Sequence, residues 1–294
     1  MFVTVNGARL YFDVEGAQLV PDGTAMRHKP TVVLLHGGPG ADHTIYKPIM
    51  SQLADIAQVI YYDHRGNGRS DLGVSGDWNL PQWGDDVVGL CGALGIEKPI
   101  ILGTSFGGFV AQSYATRHPG HAGGLILIST AARFDFDVVY QAFGRLGGDQ
   151  ARAIAQSYWS APDAEKRALY RDVCVPLYEA RKDASKEWLA RMISRDETAL
   201  WFNGPGNEHG VMDFRADLGK ITCPVLVMAG ERDPITPIQF SEEIVRHLTG
   251  AKVIFERFAD CGHGVTGDCP DAAFQLIRRF IGDEPMLDAG LVAP

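Results

Sequence analysis

Apolar positions along this chain follow two different periods. Val3 to Val5 and Leu10 to Val14 alternate apolar and polar around Asn6-Gly7, which predicts an N-terminal β-hairpin. The runs Thr31 to Leu35, Gln58 to Tyr62, Pro99 to Leu102, Leu125 to Ser129, Val225 to Met228 and Val253 to Phe255 show no such alternation. Strands read that way when both faces are covered, as in a parallel sheet between helices. Helical patterns fall over Tyr46 to Ile56, Gln82 to Leu94, the stretch from Gly108, Ile238 to Leu248 and Ala272 to Ile281. Repeated β-α-β units predict an α/β fold: a mainly parallel sheet, helices on both faces and right-handed crossovers. From Phe134 to about residue 215 strand runs cease, and helical patterns rich in Ala, Arg, Glu and aromatics take over. This predicts a helical insertion, residues 134–215, in a core made of 1–133 and 216–294. The tail Asp283 to Pro294 has no period and is expected to be loosely held.

Chemistry concentrates where these strands end. Gly103-Thr104-Ser105-Phe106-Gly107 joins a strand to a small-residue helix. A G-x-S-x-G turn there is tight enough to need glycines around its centre, and it lifts the serine hydroxyl above the sheet. A serine hydroxyl is a weak nucleophile at neutral pH, so it needs a base, and the base needs an orienting acid. On a parallel sheet these groups come from the C-terminal edge, where the ligand crevice lies. Asp233, in Gly230-Glu231-Arg232-Asp233, and His263, in Cys261-Gly262-His263-Gly264, follow the last two strand runs. Either alone reads as a turn residue; Ser105, Asp233 and His263 in that order at three strand ends read as a catalytic triad.

Two further loops occupy the same edge. His36-Gly37-Gly38-Pro39-Gly40 follows the Thr31-to-Leu35 run, and its glycines let bare N–H groups approach a substrate carbonyl. An oxyanion hole is expected from Gly38, with Gly37 as second choice, together with the Phe106 N–H that follows the nucleophile. His36 is expected to brace the loop. The loop Asp63 to Ser70 lacks the Lys-Ser/Thr ending of a P-loop, so it is read as a buried ion-pair and turn device. The remaining histidines, including His209, lack strand-end placement and read as surface or structural.

Composition narrows the function classes. A hydrophobic fraction of 46% and a charged fraction of 21% belong to an ordinary globular protein. A net charge of −9 argues against nucleic acid or an anionic membrane as partner, and no apolar run reaches membrane-span length. The N-terminus lacks a basic n-region followed by a long apolar stretch, so a cytoplasmic location is expected. The five cysteines, 91, 174, 223, 261 and 269, form no C-x-x-C pair. They read as reduced thiols rather than zinc ligands, and small buried thiols are favoured over a redox role for Cys261 and Cys269 beside His263. No metal or cofactor is expected, and the partner expected is a small-molecule substrate.

The motifs together resemble a known family. His36-Gly37-Gly38-Pro39-Gly40, Asp63-x-Arg65-Gly66-x-Gly68-x-Ser70 and Gly103-x-Ser105-x-Gly107-Gly108 are similar to those of the α/β-hydrolase superfamily, the first in the form seen in its proline iminopeptidase branch. The resemblance implies the α/β-hydrolase fold, a helical cap at the insertion and a serine hydrolase working through an acyl-enzyme. It also implies an acidic anchor for a substrate's free α-amino group. Gly204-Pro205-Gly206-Asn207-Glu208 resembles the segment carrying that acid, with one extra residue, making Glu208 the candidate. A solvated loop carboxylate is the alternative reading of Glu208. A second acid that follows the catalytic Asp in one subgroup is Pro234 here, and a neutral site would suit an ester, lactone or simple amide. An iminopeptidase-like aminopeptidase therefore stands beside a carboxylesterase or lactonase. A non-catalytic binding protein on the same scaffold would be expected to lack a triad residue. The insertion's aromatics, among them Phe134, Phe136, Tyr158, Trp159, Trp188 and Phe202, read chiefly as that lobe's own core, with a minority facing ligand.

Overall fold

The computed structural model describes residues 1–181 and 187–282, without the side chain of Trp188; the predicted loose tail 283–294 lies outside the described residues. The N-terminal hairpin forms as β1 (Phe2–Val5) and β2 (Ala8–Glu15), with Asn6 and Gly7 both at positive φ in its turn. A second hairpin, β3 (Leu19–Asp22) and β4 (Ala25–His28), was not expected. It is almost wholly exposed, so it leaves no alternating apolar signature.

The unalternating runs become β5 (Thr31–Leu35), β6 (Gln58–Tyr62), β7 (Ile100–Thr104), β8 (Gly124–Ile128), β9 (Val225–Gly230) and β10 (Val253–Phe258). They join the first hairpin in an eight-stranded sheet of order β1-β2-β6-β5-β7-β8-β9-β10. The β1–β2 and β2–β6 pairs are antiparallel, and every pair from β6 to β10 is parallel.

The helices are α1 (Leu80–Leu94), α2 (Phe106–Arg117), α3 (Phe136–Ser160), α4 (Ala164–Val173), α5 (Glu187–Arg191), α6 (Asp196–Asn203), α7 (Glu208–Val211), α8 (Ile238–His247), α9 (Val265–Asp268) and α10 (Pro270–Gly282). Successive strand residues feed opposite faces, which is why neither face shows in the sequence as a polar position. Val33, Leu35, Ile101, Leu125 and Val227 pack with Trp83, Val87, Val110 and Ile244 of α1, α2 and α8. Val32, Leu34, Leu102, Ile126 and Leu226 pack on the other face with Met50, Leu53, Phe274 and Ile277. The helix expected over Tyr46 to Ile56 is two 3₁₀ segments instead, His43–Tyr46 and Ile49–Asp55. Pro48 lies between them, and it has no N–H to continue a helical ladder.

Helices α3 to α7 form the insertion between β8 and β9. α3 begins at an Asp135 cap and is broken at Gly148, which takes φ 72°. Between α5 and α6 the chain is fastened to the core: Gly40 O accepts the Arg195 N–H at 2.8 Å, Asp42 accepts the Ile193 N–H at 3.0 Å, and Arg195 donates to Gly68 O. The insertion is thus tied to the same strand-end loops that border the site.

Candidate active site

Ser105 occupies the single residue between β7 and α2, at φ 56° and ψ −120°, a conformation that non-glycine residues rarely adopt. Packing holds it there. A Cβ on Gly107 would lie 1.9 Å from Leu35 O, one on Gly103 2.3 Å from Gly107 O, and one on Gly108 2.4 Å from Thr130 Oγ1. The three glycines therefore let strand, turn and helix approach within backbone contact. Ser105 N donates to Ile128 O at 3.0 Å, and Thr130 Oγ1 donates to Ser105 O at 2.9 Å, anchoring the turn to β8 and the loop after it.

Asp233 and His263 lie after β9 and β10 and are brought together: His263 Nδ1 donates to Asp233 Oδ2 at 2.7 Å. The same carboxylate accepts the Ile235 and Thr236 N–H groups at 2.8 and 2.9 Å and the Thr236 hydroxyl at 2.6 Å. Burial works to raise the Asp233 pKa. The adjacent imidazole and these hydrogen bonds outweigh it and hold the carboxyl below its usual range. With Nδ1 committed to the carboxylate, Nε2 is the ring nitrogen available to take a proton. The His263 loop is itself held, its N–H donating to Tyr178 O at 2.6 Å while the Tyr178 ring packs edge-on at 5.1 Å. Ser105 and His263 border one cavity of about 890 Å³, which also reaches Gly37, Gly38, Trp159 and His209.

Gly37 and Gly38 face this cavity from the loop after β5, Gly38 at φ 127°. Phe106 is the first residue of α2, where a helix has no internal acceptor for its N–H. Its buried ring packs against Trp83 and Phe202. His36 does brace the loop: Nδ1 contacts Gly37 O at 2.8 Å, and Nε2 accepts the His64 N–H at 3.2 Å. Residues 63–70 do not line the cavity. Arg65 donates to both oxygens of the buried Asp86 at 2.9 and 2.8 Å, and Asp63 accepts the His43 and Arg69 N–H groups at 2.8 Å. The loop is a buried ion-pair and turn device under the site.

Two expectations are corrected. Glu208 is neither a solvated loop acid nor a cavity residue. It starts α7, and Oε2 accepts the Leu80 N–H at 2.9 Å, at the beginning of α1. The carboxylate is half-buried against a helix N-terminus, burial raising its pKa, and is spent on a contact between the insertion and the core. Cys261 and Cys269 are not free thiols but a disulfide. The turn around His263 and α9 brings their Cα atoms to 6.4 Å, within bonding range. An eight-residue separation with no motif carries no such signal in sequence. Cys91, Cys174 and Cys223 are free.

The structure also adds residues that no strand-end signal marked. His209, read as surface or structural, is a buried cavity residue whose pKa burial pushes down to about 3. Thr236 and Tyr178 hold the Asp233–His263 pair, and Asp268 holds the loop below it. Among the described residues, no helix is long and apolar enough to cross a membrane.

Comparison with known proteins agrees with this fold. Residues 30–267 match the α/β-hydrolase fold family. A proline iminopeptidase, PfmaB, of Pestalotiopsis fici is 29% identical over 290 residues, covering 95% of this chain and 98% of the relative. A putative carbamate hydrolase, RutD, of a Caulobacter species is 28% identical over 288 residues, covering 96% and 98%. The crystal structure of a Mycobacterium smegmatis proline iminopeptidase superposes with a TM-score of 0.74 at 24% identity, covering 96% and 97%. The chain is a hydrolase belonging to the α/β-hydrolase family.

Proposed function

We propose that the protein is a serine hydrolase acting through an acyl-enzyme on a small carbonyl substrate. His263 Nε2 takes the Ser105 proton as the hydroxyl attacks the carbonyl carbon, and the negative Asp233 holds the imidazolium that forms. The Gly38 and Phe106 N–H groups, with Gly37 as second donor, receive the oxyanion. His263 then gives its proton to the departing group. Water, deprotonated by the same nitrogen, cleaves the acyl-enzyme and restores Ser105. The observation that carries this reading is the 2.7 Å His263–Asp233 bond beside one cavity that also holds a serine on a strained turn. Residues 134–215 act as the cap that shapes the acyl pocket.

For the substrate, an ester or lactone is the reading favoured over an amine anchored by Glu208. Glu208 is turned onto Leu80 and Pro234 follows Asp233, so neither position implied for an aminopeptidase presents an acid to the cavity, although Glu179 and Glu187 line it elsewhere. The iminopeptidase-like reading is supported by the His36-to-Gly40 motif and by the 29% identical relative. A fluorophosphonate probe tests the nucleophile: labelling of the native protein and none of Ser105→Ala is expected, and equal labelling of both would remove Ser105 from that role. Turnover of short esters and lactones against prolyl and other aminoacyl arylamides tests the substrate. Arylamide cleavage without ester cleavage would return the assignment to the aminopeptidase.

A further inference from the structure

His209 is a polar group set in an aromatic box. Its ring centroid lies 4.4 Å from that of Phe134, 4.6 Å from Phe202, 5.0 Å from Trp159 and 5.4 Å from Phe109. Phe134, Trp159 and Phe109 line the same cavity as Ser105 and His263. A core position among four aromatic rings would normally be apolar, because a polar ring there must give up water.

One side of the imidazole is explained. Nδ1 meets Asn203 Oδ1 at 2.6 Å, and Asn203 Nδ2 donates to Tyr158 OH at 3.0 Å. Arg167, paired with Asp196, donates to the same phenol oxygen at 3.2 Å. An arginine can only donate, so the Tyr158 oxygen accepts from it. With Asn203 Nδ2 donating to the same oxygen, Asn203 Oδ1 faces His209 and accepts Nδ1–H, which leaves the lone pair on Nε2.

The other side is not explained by the protein. Among the described residues Nε2 has no hydrogen-bond partner, and His209 borders the cavity. Burial also keeps the ring neutral, so Nε2 is an acceptor rather than a cation.

We infer that His209 is a specificity residue whose Nε2 accepts a hydrogen bond from a hydroxyl or amide N–H on a flat, apolar acyl group held among Phe134, Trp159 and Phe109. This deepens the serine-hydrolase reading and rests on it. A group without a donor would leave the Nε2 lone pair dehydrated and unmatched, which is the situation in which a pocket discriminates most strongly.

The test compares methyl phenylacetate with its 2-, 3- and 4-hydroxy derivatives. For the native protein, at least one hydroxy ester is expected to exceed the parent ester about tenfold in kcat/KM. His209→Phe should bring that ratio to about one. His209→Gln, which keeps a polar group near the Nε2 position, should recover part of the preference. Binding of the corresponding hydroxyphenylacetamides and of phenylacetamide to Ser105→Ala, measured by calorimetry, gives a readout independent of turnover. The same preference is expected there, and its loss in the Ser105→Ala, His209→Phe double variant. Equal losses for parent and hydroxy compounds, or no preference in turnover by the native protein or in binding to Ser105→Ala, would overturn the inference. Donor-selective binding without fluorophosphonate labelling would instead remove the serine-hydrolase reading and leave the binding role of His209 standing.

Discussion

Asp268 accepts the Gly262 N–H at 2.7 Å, one residue before His263. The same carboxylate accepts the Ala180 and Arg181 N–H groups, each at 3.0 Å, so one buried side chain joins the His263 loop to the segment after α4. Gly262 has to be glycine there, since a Cβ would lie 2.1 Å from Tyr178 O. The loop carrying the proposed base is thus positioned from both sides.

Asp268→Ala should strand three backbone donors, that of Gly262 buried and those of Ala180 and Arg181 partly so, and release that loop. A loss of about 3 kcal/mol in urea unfolding is expected, with a fall in kcat on a short ester of at least about tenfold. Native stability and native kcat together would show that His263 is positioned without Asp268.

Glycines separate into those under compression and those with open space. Gly107→Ala places a methyl 1.9 Å from the Leu35 carbonyl, against backbone that cannot rotate away. It is expected to cost more than about 3 kcal/mol or to prevent folding. Gly92, in α1, has nothing within 4 Å of its added Cβ, and Gly92→Ala should raise stability by about 0.5–1 kcal/mol. Thermal unfolding of the pair tests this, and similar shifts for both would contradict it.

Acid stability depends on Asp233. Burial acts to raise its pKa, but the His263 charge and the hydrogen bonds from His263 and Thr236 bring the folded value below the ordinary one. The stabilisation is therefore fully present above the unfolded pKa of about 4 and is lost as pH falls through the lower folded value. Thr236→Val removes the 2.6 Å hydroxyl donor, so the folded pKa should rise and acid unfolding should begin at higher pH. A loss of about 1 kcal/mol at neutral pH is expected alongside. Unfolding followed from pH 2 to 6 would show an unmoved acid limb if the hydroxyl were idle.

The Arg65–Asp86 pair lies beneath the site with both residues buried. Asp86→Ala leaves the guanidinium with only the more distant Asp77, at 3.8 Å, as a counter-charge and should cost about 3 kcal/mol. Replacing both partners, as Arg65→Met with Asp86→Leu, should recover much of that loss. Failure of the double variant to recover, in urea unfolding, would mean that the ion pair does more than satisfy its own charges.

Sheet strands and most helices could be read from the chain, because burial on two faces removes alternation and helix faces keep their period. Pro48 broke the expected helix over Tyr46 to Ile56, and the exposed hairpin Leu19–Asp22 with Ala25–His28 had no apolar pattern to find. Ser105, Asp233 and His263 could be put forward as a group because strand ends on a parallel sheet share one edge. The identity of the residues facing the substrate had no such local signal. Glu208 and His209 are neighbours in sequence, yet α7 sends one carboxylate to Leu80 and sets the other ring among Phe134, Trp159 and Phe202. The sequence by itself determined the α/β order and the elbow at Ser105, since both follow from local periodicity and glycine geometry. Only the tertiary structure decided which polar groups of the insertion reach the cavity and which cysteines meet, because those depend on contacts between segments far apart in the chain.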